Sequence, residues 1–128
     1  MPRRLLIIDD ALIIREIIKD AIKDTGWEIA GEATNGQEGI EQYQLLQPDA
    51  VTLDLVMPEY DGLHALEGIL DMDPDAKVVV VSALDQKNVL KQAFRIGATD
   101  FLVKPFNNEA LIQTLETLVP DSADSAIP

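Results

Sequence analysis

Leu5-Leu6-Ile7-Ile8 is an unbroken apolar run that stops at Asp9-Asp10, the pattern of a strand covered on both faces. From Ala11 to Lys23 the apolar residues fall into two adjacent stripes at helical spacing. Ile13, Ile17 and Ala21 form one, and Ile14, Ile18 and Ile22 the other. Thr25-Gly26 ends that helix. Trp27 to Ala33 alternates, with Trp27, Ile29 and Gly31 on one face and Glu28, Ala30 and Glu32 on the other, which predicts a more exposed strand.

Asn35-Gly36 reads as a turn before a helix over 37–46, with Ile40, Tyr43 and Leu46 inward. Pro48-Asp49 breaks it ahead of a third strand, Ala50 to Asp54. Met57-Pro58 and Asp61-Gly62 bracket a loop; Leu63 to Leu70 opens a third helix, which Pro74 stops. Lys77 to Val81 is the fourth strand, Asn88 to Ile96 a helix capped by Gly97, and Asp100 to Val103 the fifth strand. Asn107 or Asn108 is placed to N-cap a last helix reaching about Val119, and from Pro120 the chain is a small polar tail. Five strands alternating with five helices imply an α/β domain, a doubly wound parallel sheet covered on both faces. The expected division is a domain over 1–119 and a flexible tail over 120–128.

Charge narrows the function classes. Ten Lys+Arg stand against 23 Asp+Glu in 128 residues, a net charge of −13. Such a balance argues against binding a nucleic-acid backbone or an anionic membrane, both of which need clustered cations. The absence of cysteine removes thiolate nucleophiles, thiolate metal sites and disulfides. One histidine, His64, does not suffice for His-pair metal sites; it sits in a charged helical stretch and reads as surface. The opening Met1-Pro2-Arg3-Arg4 is no secretory leader, because the apolar run after it halts at two aspartates. No apolar run approaches the ~20 residues of a membrane helix, and a cytoplasmic location is expected.

In open parallel sheets ligands bind at the carboxyl ends of the strands. Asp9, Asp10, Asp54, Ser82 and Lys104 all end or closely follow a predicted strand. Taken singly, each has a bland role: Asp9 or Asp10 as a helix cap, Ser82 as a turn residue, Lys104 as a solvated cation. Asp61 reads as a turn or cap residue and Glu59 as solvated surface. Together, three carboxylates at one edge would repel and raise one another's pKa unless a cation intervenes. Oxygen-only donors favour Mg²⁺ or Mn²⁺ over zinc. A hydroxyl and an ammonium beside them suit the oxygens of a phosphoryl group, and only a carboxylate stands ready as its nucleophile.

These residues resemble the response-regulator receiver domains of two-component signalling. The likeness is carried by Leu6-Ile7-Ile8-Asp9-Asp10, by Asp54-Leu55-Val56-Met57-Pro58 with Asp61-Gly62, by Val80-Val81-Ser82-Ala83, and by the run from Gly97 to Phe106. It spans about Arg3 to Val119. The resemblance implies a flavodoxin-like sheet of order 2-1-3-4-5 and a phosphorylation-activated switch rather than an independent enzyme. It implies Asp54 as acceptor of a phosphoryl group from the phosphohistidine of a sensor histidine kinase. It further implies Mg²⁺ on Asp9, Asp10, Asp54 and the Val56 main-chain carbonyl, Lys104 and Ser82 on the phosphoryl oxygens, and Ser82 with Phe101 as the switch pair. Lys104-Pro105 matches a position that is cis in the family.

Glu32 to Gly36, Ser82 to Gln86 and Lys104-Pro105-Phe106 bring the chain nearest to single-domain CheY-like chemotaxis regulators. Such proteins engage a downstream target through the face of the fourth helix, fifth strand and fifth helix. Val56 and Leu84, two residues past Asp54 and Ser82, occupy positions that shape phosphoryl lifetime in the family. The competing expectations are the receiver of a longer, for example DNA-binding, regulator and an aspartate-nucleophile phosphatase. The latter resembles a D-x-D pattern after the first strand, which adjacent Asp9-Asp10 does not supply.

Overall fold

β1 (Arg3–Ile8) runs through the interior of the sheet, and its Leu5, Leu6, Ile7 and Ile8 are wholly buried. Leu5 and Ile7 pack into one core and Leu6 and Ile8 into another, which is why the run is apolar without alternation. The structure, a computed structural model, describes residues 2–57, 62–83 and 85–120. The expectations for Met1, Pro58, Glu59, Asp61, Leu84 and the tail from 121 lie outside the described residues.

After β1 come α1 (Leu12–Ile22), β2 (Trp27–Ala33), α2 (Gly36–Leu46), β3 (Ala50–Asp54), α3 (Gly62–Met72), β4 (Val78–Ala83), α4 (Lys87–Ile96), β5 (Asp100–Lys104) and α5 (Asn108–Leu118). All strands pair in parallel in the order β2-β1-β3-β4-β5, as the family resemblance implied. α1 and α5 supply Ile18, Ala21, Ile22, Leu111 and Leu115 to the core on one face. α2, α3 and α4 supply Tyr43, Ala65, Leu66, Ile69 and Ala93 to the other. The strand order reverses between β1 and β3, so the crevice beyond their carboxyl ends is where a ligand fits.

Local signals explain the helix ends. Asn35 is an N-cap and not merely a turn: its side chain accepts from Glu38 N–H at 2.8 Å, while Glu38 reaches back to accept from Thr34 N–H at 3.1 Å. Asn107, of the two candidates, caps α5 by accepting from Ala110 N–H at 2.7 Å. No described helix is long and apolar enough to cross a membrane.

The two stripes of α1 are told apart by their packing, and the alternation expected of β2 needs correction. Of the two stripes on α1, the one through Ile14, Ile18 and Ile22 meets the sheet together with Ala21, whereas Ile13 is 67% and Ile17 37% exposed. A helix lying on a sheet buries one stripe and the near edge of the next, so Ala21 is covered while Ile13 and Ile17 stay in solvent. In β2 the alternation is interrupted, because Leu5 pairs with Ile29 and Leu6 with Gly31, leaving Ala30 as a bulge. One extra residue turns every later side chain to the opposite face. Gly31 therefore lies against α2, where a Cβ would meet the Leu46 side chain, and Glu32 faces α1.

Candidate functional site

Asp9, Asp10 and Asp54 converge at the carboxyl edge of β1 and β3, with carboxylate oxygens within 4.8 Å of one another. Asp9 and Asp54 are buried and Asp10 is exposed, so the cluster opens to solvent on the Asp10 side. Asp9 Oδ1 accepts from Ala11 N–H at 2.9 Å, and Asp54 Oδ1 accepts from Val56 N–H at 3.2 Å. Each buried carboxylate is thus held by the backbone two residues on, the local bond that aspartate side chains favour.

Lys104 comes from the end of β5 and reaches across β4 to both. Its Nζ lies 3.2 Å from Asp9 Oδ2 and 3.5 Å from Asp54 Oδ2. One ammonium between two buried carboxylates offsets part of their repulsion but not all of it. The Asp54 carboxyl is pushed up from 3.8 to about 6, chiefly by burial and next by the Asp9 charge; Lys104 and the Val56 N–H pull it down, and Asp10 adds to the rise. The peptide bond from Lys104 to Pro105 is cis, as expected.

Ser82 is buried near the end of β4, one residue past Val81, the register partner of Asp54. Phe101 stands on β5 opposite Val80, 41% exposed, its ring edge-on to Phe94 of α4 with centroids 5.9 Å apart. Asp9, Asp10, Asp54 and Lys104 therefore form one cluster, Ser82 lies on the strand between those that carry Asp54 and Lys104, and Phe101 lies apart on the α4 side. Val56 meets Asp54 through its N–H, and its side chain is 49% exposed. His64 is exposed on α3, 3.4 Å from Gln37 and outside the cluster.

Inspection of the sequence for strand ends does not find Arg15 and Glu32. Arg15 Nη1 donates to the Asp9 main-chain carbonyl at 2.8 Å, and Nε donates to Glu32 Oε1 at 3.0 Å. Their signal was a charged residue in β2, on a face that only the bulge at Ala30 turns toward α1.

The donors are hard oxygens, two of them desolvated and tethered, and among the described residues one lysine, Lys104, pairs with them and leaves the charge incompletely balanced. That set fits Mg²⁺ or Mn²⁺, which favour carboxylates, carbonyls and water.

Residues 5–116 match the response regulator receiver domain family. The chemotaxis protein CheY of Thermotoga maritima is 46% identical over 115 residues, covering 90% of this chain and 96% of that protein. CheY of Bacillus subtilis is 40% identical over 115 residues, with 90% and 96% covered. Among solved structures, the CheX-CheY-BeF3-Mg²⁺ complex from Borrelia burgdorferi contains a chain that superposes with a TM-score of 0.87 at 29% identity. The superposition covers 94% of this chain and 92% of that one.

Proposed function

The chain belongs to the response regulator receiver domain family and is a phosphorylation-activated regulator, and from that premise we propose that Asp54 is its phosphoryl acceptor. The observation that carries this assignment is the meeting of three carboxylates with Lys104 at the β1/β3 edge. One Asp54 oxygen attacks phosphorus in the phosphohistidine of a sensor kinase. The P–N bond breaks, its electron pair stays on the imidazole nitrogen, and an acyl phosphate forms. With its carboxyl near 6, Asp54 is mostly ionised at pH 7, as attack requires.

Mg²⁺ held by Asp9, Asp10, Asp54 and the Val56 carbonyl would neutralise charge on the transferring oxygens. Lys104 moves from two carboxylates to the phosphoryl oxygens, a charge-assisted contact. Ser82, on the strand between them, donates to another of those oxygens and draws Phe101 inward. That movement alters the face made by α4, β5 and α5. Phe94 and Phe101 are half-exposed there, and α4 carries Lys87, Lys91 and Arg95 exposed with no acid in its sequence. A downstream protein reads this face, and the likeness to CheY over nearly its whole length supports a chemotaxis output in the cytoplasm. We assign 1–119 to the receiver unit and 120–128 to a tail, in keeping with α5 ending at Leu118.

Incubation with acetyl phosphate and Mg²⁺, followed by intact mass, tests the assignment. Wild type gains one phosphoryl group and Asp54→Asn gains none. Equal gain by the variant would place the acceptor elsewhere.

A further inference from the structure

Arg15 lies in the first turn of α1, and its guanidinium turns back beneath the acidic cluster, its side chain 13% exposed. It joins the Asp9 main-chain carbonyl on one side to Glu32 on the other, at 2.8 and 3.0 Å. The second Glu32 oxygen accepts from Lys19 Nζ at 3.0 Å. Burial would raise the Glu32 carboxyl, but Lys19 and Arg15 together hold it below the ordinary range, so it remains a charged brace.

A short turn between β1 and α1 carries both Asp9 and Asp10. Asp9 N–H donates to Ala33 O at 3.0 Å, Asp9 Oδ1 accepts from Ala11 N–H, and Arg15 N–H donates to Ala11 O at 3.2 Å. The Asp9 carbonyl belongs to the peptide plane that joins Asp9 to Asp10. Tilting that plane swings the Asp10 carboxylate. Asp10 is exposed, and its side chain makes no hydrogen bond to another described residue, so the backbone beneath it is what sets where its Cα–Cβ bond starts and which space its carboxylate can reach.

We propose that Arg15, braced by Glu32, is a positioning residue for the divalent cation: by holding the Asp9 carbonyl it aims the Asp10 carboxylate at the space it shares with Asp9 and Asp54. This rests on the Mg²⁺ assignment above. Charge and position predict opposite signs for its removal. Deleting a cation beside a cation site tightens Mg²⁺ by Coulomb's law, whereas freeing the peptide plane loosens it.

The test is calorimetric titration of the full chain with MgCl₂, alongside urea unfolding without metal, for wild type, Arg15→Ala, Arg15→Lys and Lys19→Ala. Arg15→Ala should weaken Mg²⁺ about tenfold, the lower end for loss of a group that orients a ligand. Arg15→Lys keeps the charge but not the fork that spans two acceptors, and should also bind more weakly than wild type. Lys19→Ala removes the other partner of Glu32 but not the bond to Asp9, and should stay within about twofold.

Mg²⁺ binding by Arg15→Ala at or above wild-type affinity overturns the proposal, as does an equal loss in Lys19→Ala. If Arg15→Ala does not fold, Arg15→Lys decides: weaker binding supports the positioning role, and unchanged binding overturns it. A wild type that binds no Mg²⁺ overturns the metal assignment, and this inference with it.

Discussion

Lys104 and Asp9 form an ion pair, Nζ to Oδ2 at 3.2 Å, in which the aspartate side chain is 3% exposed and the lysine side chain 25%. The lysine is thus held by an oxygen donor that the divalent ion would also use. Lysine and Mg²⁺ compete for these oxygens, so Lys104→Ala should bind Mg²⁺ at least as tightly as wild type. The phosphoryl group would lose its nearest ammonium, a charge-assisted contact of about 1.5–3 kcal/mol. NMR shifts at Phe101 and along α4 with beryllofluoride and Mg²⁺ should shrink in the variant. A full wild-type response would count against the lysine's role.

The Asp54 carboxyl, raised to about 6, makes metal-free stability depend on pH. Its folded pKa lies above the unfolded value, so the native state binds the proton more tightly. The charged carboxylate therefore costs stability above pH 6, and the cost disappears as pH falls below about 4. Asp54→Asn removes that charge and should raise the metal-free unfolding free energy by about 1–2 kcal/mol at pH 7.5, allowing for solvent screening. The gain should vanish near pH 4, and saturating Mg²⁺ should reduce it at pH 7.5. Urea unfolding of both proteins across that range checks the sign. A gain that grows on acidification would refute it.

The strand ends were legible because a strand buried on both faces has one composition and aspartates terminate it abruptly. Asp9, Asp10 and Asp54 could be marked on that ground alone, and the structure brings all three together. What hydrophobic pattern could not decide is which of two equally apolar stripes faces inward. Ile13 and Ile14 are chemically alike, and only the placement of α1 on the sheet separates them. The bulge at Ala30 was likewise invisible, since it arises from β2 pairing with β1 and not from a local signal. Missing that bulge put Glu32 beside Ala30 and Glu28 and hid its pairing with Arg15.

Gly62 stands where no side chain fits. It begins α3 directly against the end of β3, donating its N–H to Leu55 O at 2.9 Å, and an added Cβ would lie 2.3 Å from the Asp54 carbonyl oxygen and 2.4 Å from Leu55 Cα. Both obstacles are backbone, so no side chain can swing aside. Gly62→Ala must push α3 away from β3, an overpacking cost of about 1–3 kcal/mol. Because the displaced backbone is that of Asp54, phosphorylation by acetyl phosphate should slow along with the loss of stability. Gly68→Ala is the control: there the obstacle is the Ile40 side chain of α2 and not the backbone of Asp54. Equal slowing in both variants would show a general loss of stability rather than a local one.

Val56 is 49% exposed, and its N–H donates to Asp54 Oδ1, which keeps the residue beside the proposed acceptor. Hydrolysis of an acyl phosphate there needs a water placed in line with the P–O bond and held by a polar neighbour. The valine side chain offers no donor or acceptor. An asparagine at 56 could hold such a water, and a tenfold rate change requires only about 1.4 kcal/mol, the scale of one hydrogen bond. We expect Val56→Asn to shed its phosphoryl group several-fold to about tenfold faster than wild type, and Val56→Leu to match wild type. Decay is followed by intact mass after the phosphodonor is removed. If Val56→Asn decays no faster, residue 56 is only a solvated surface position and does not set the lifetime.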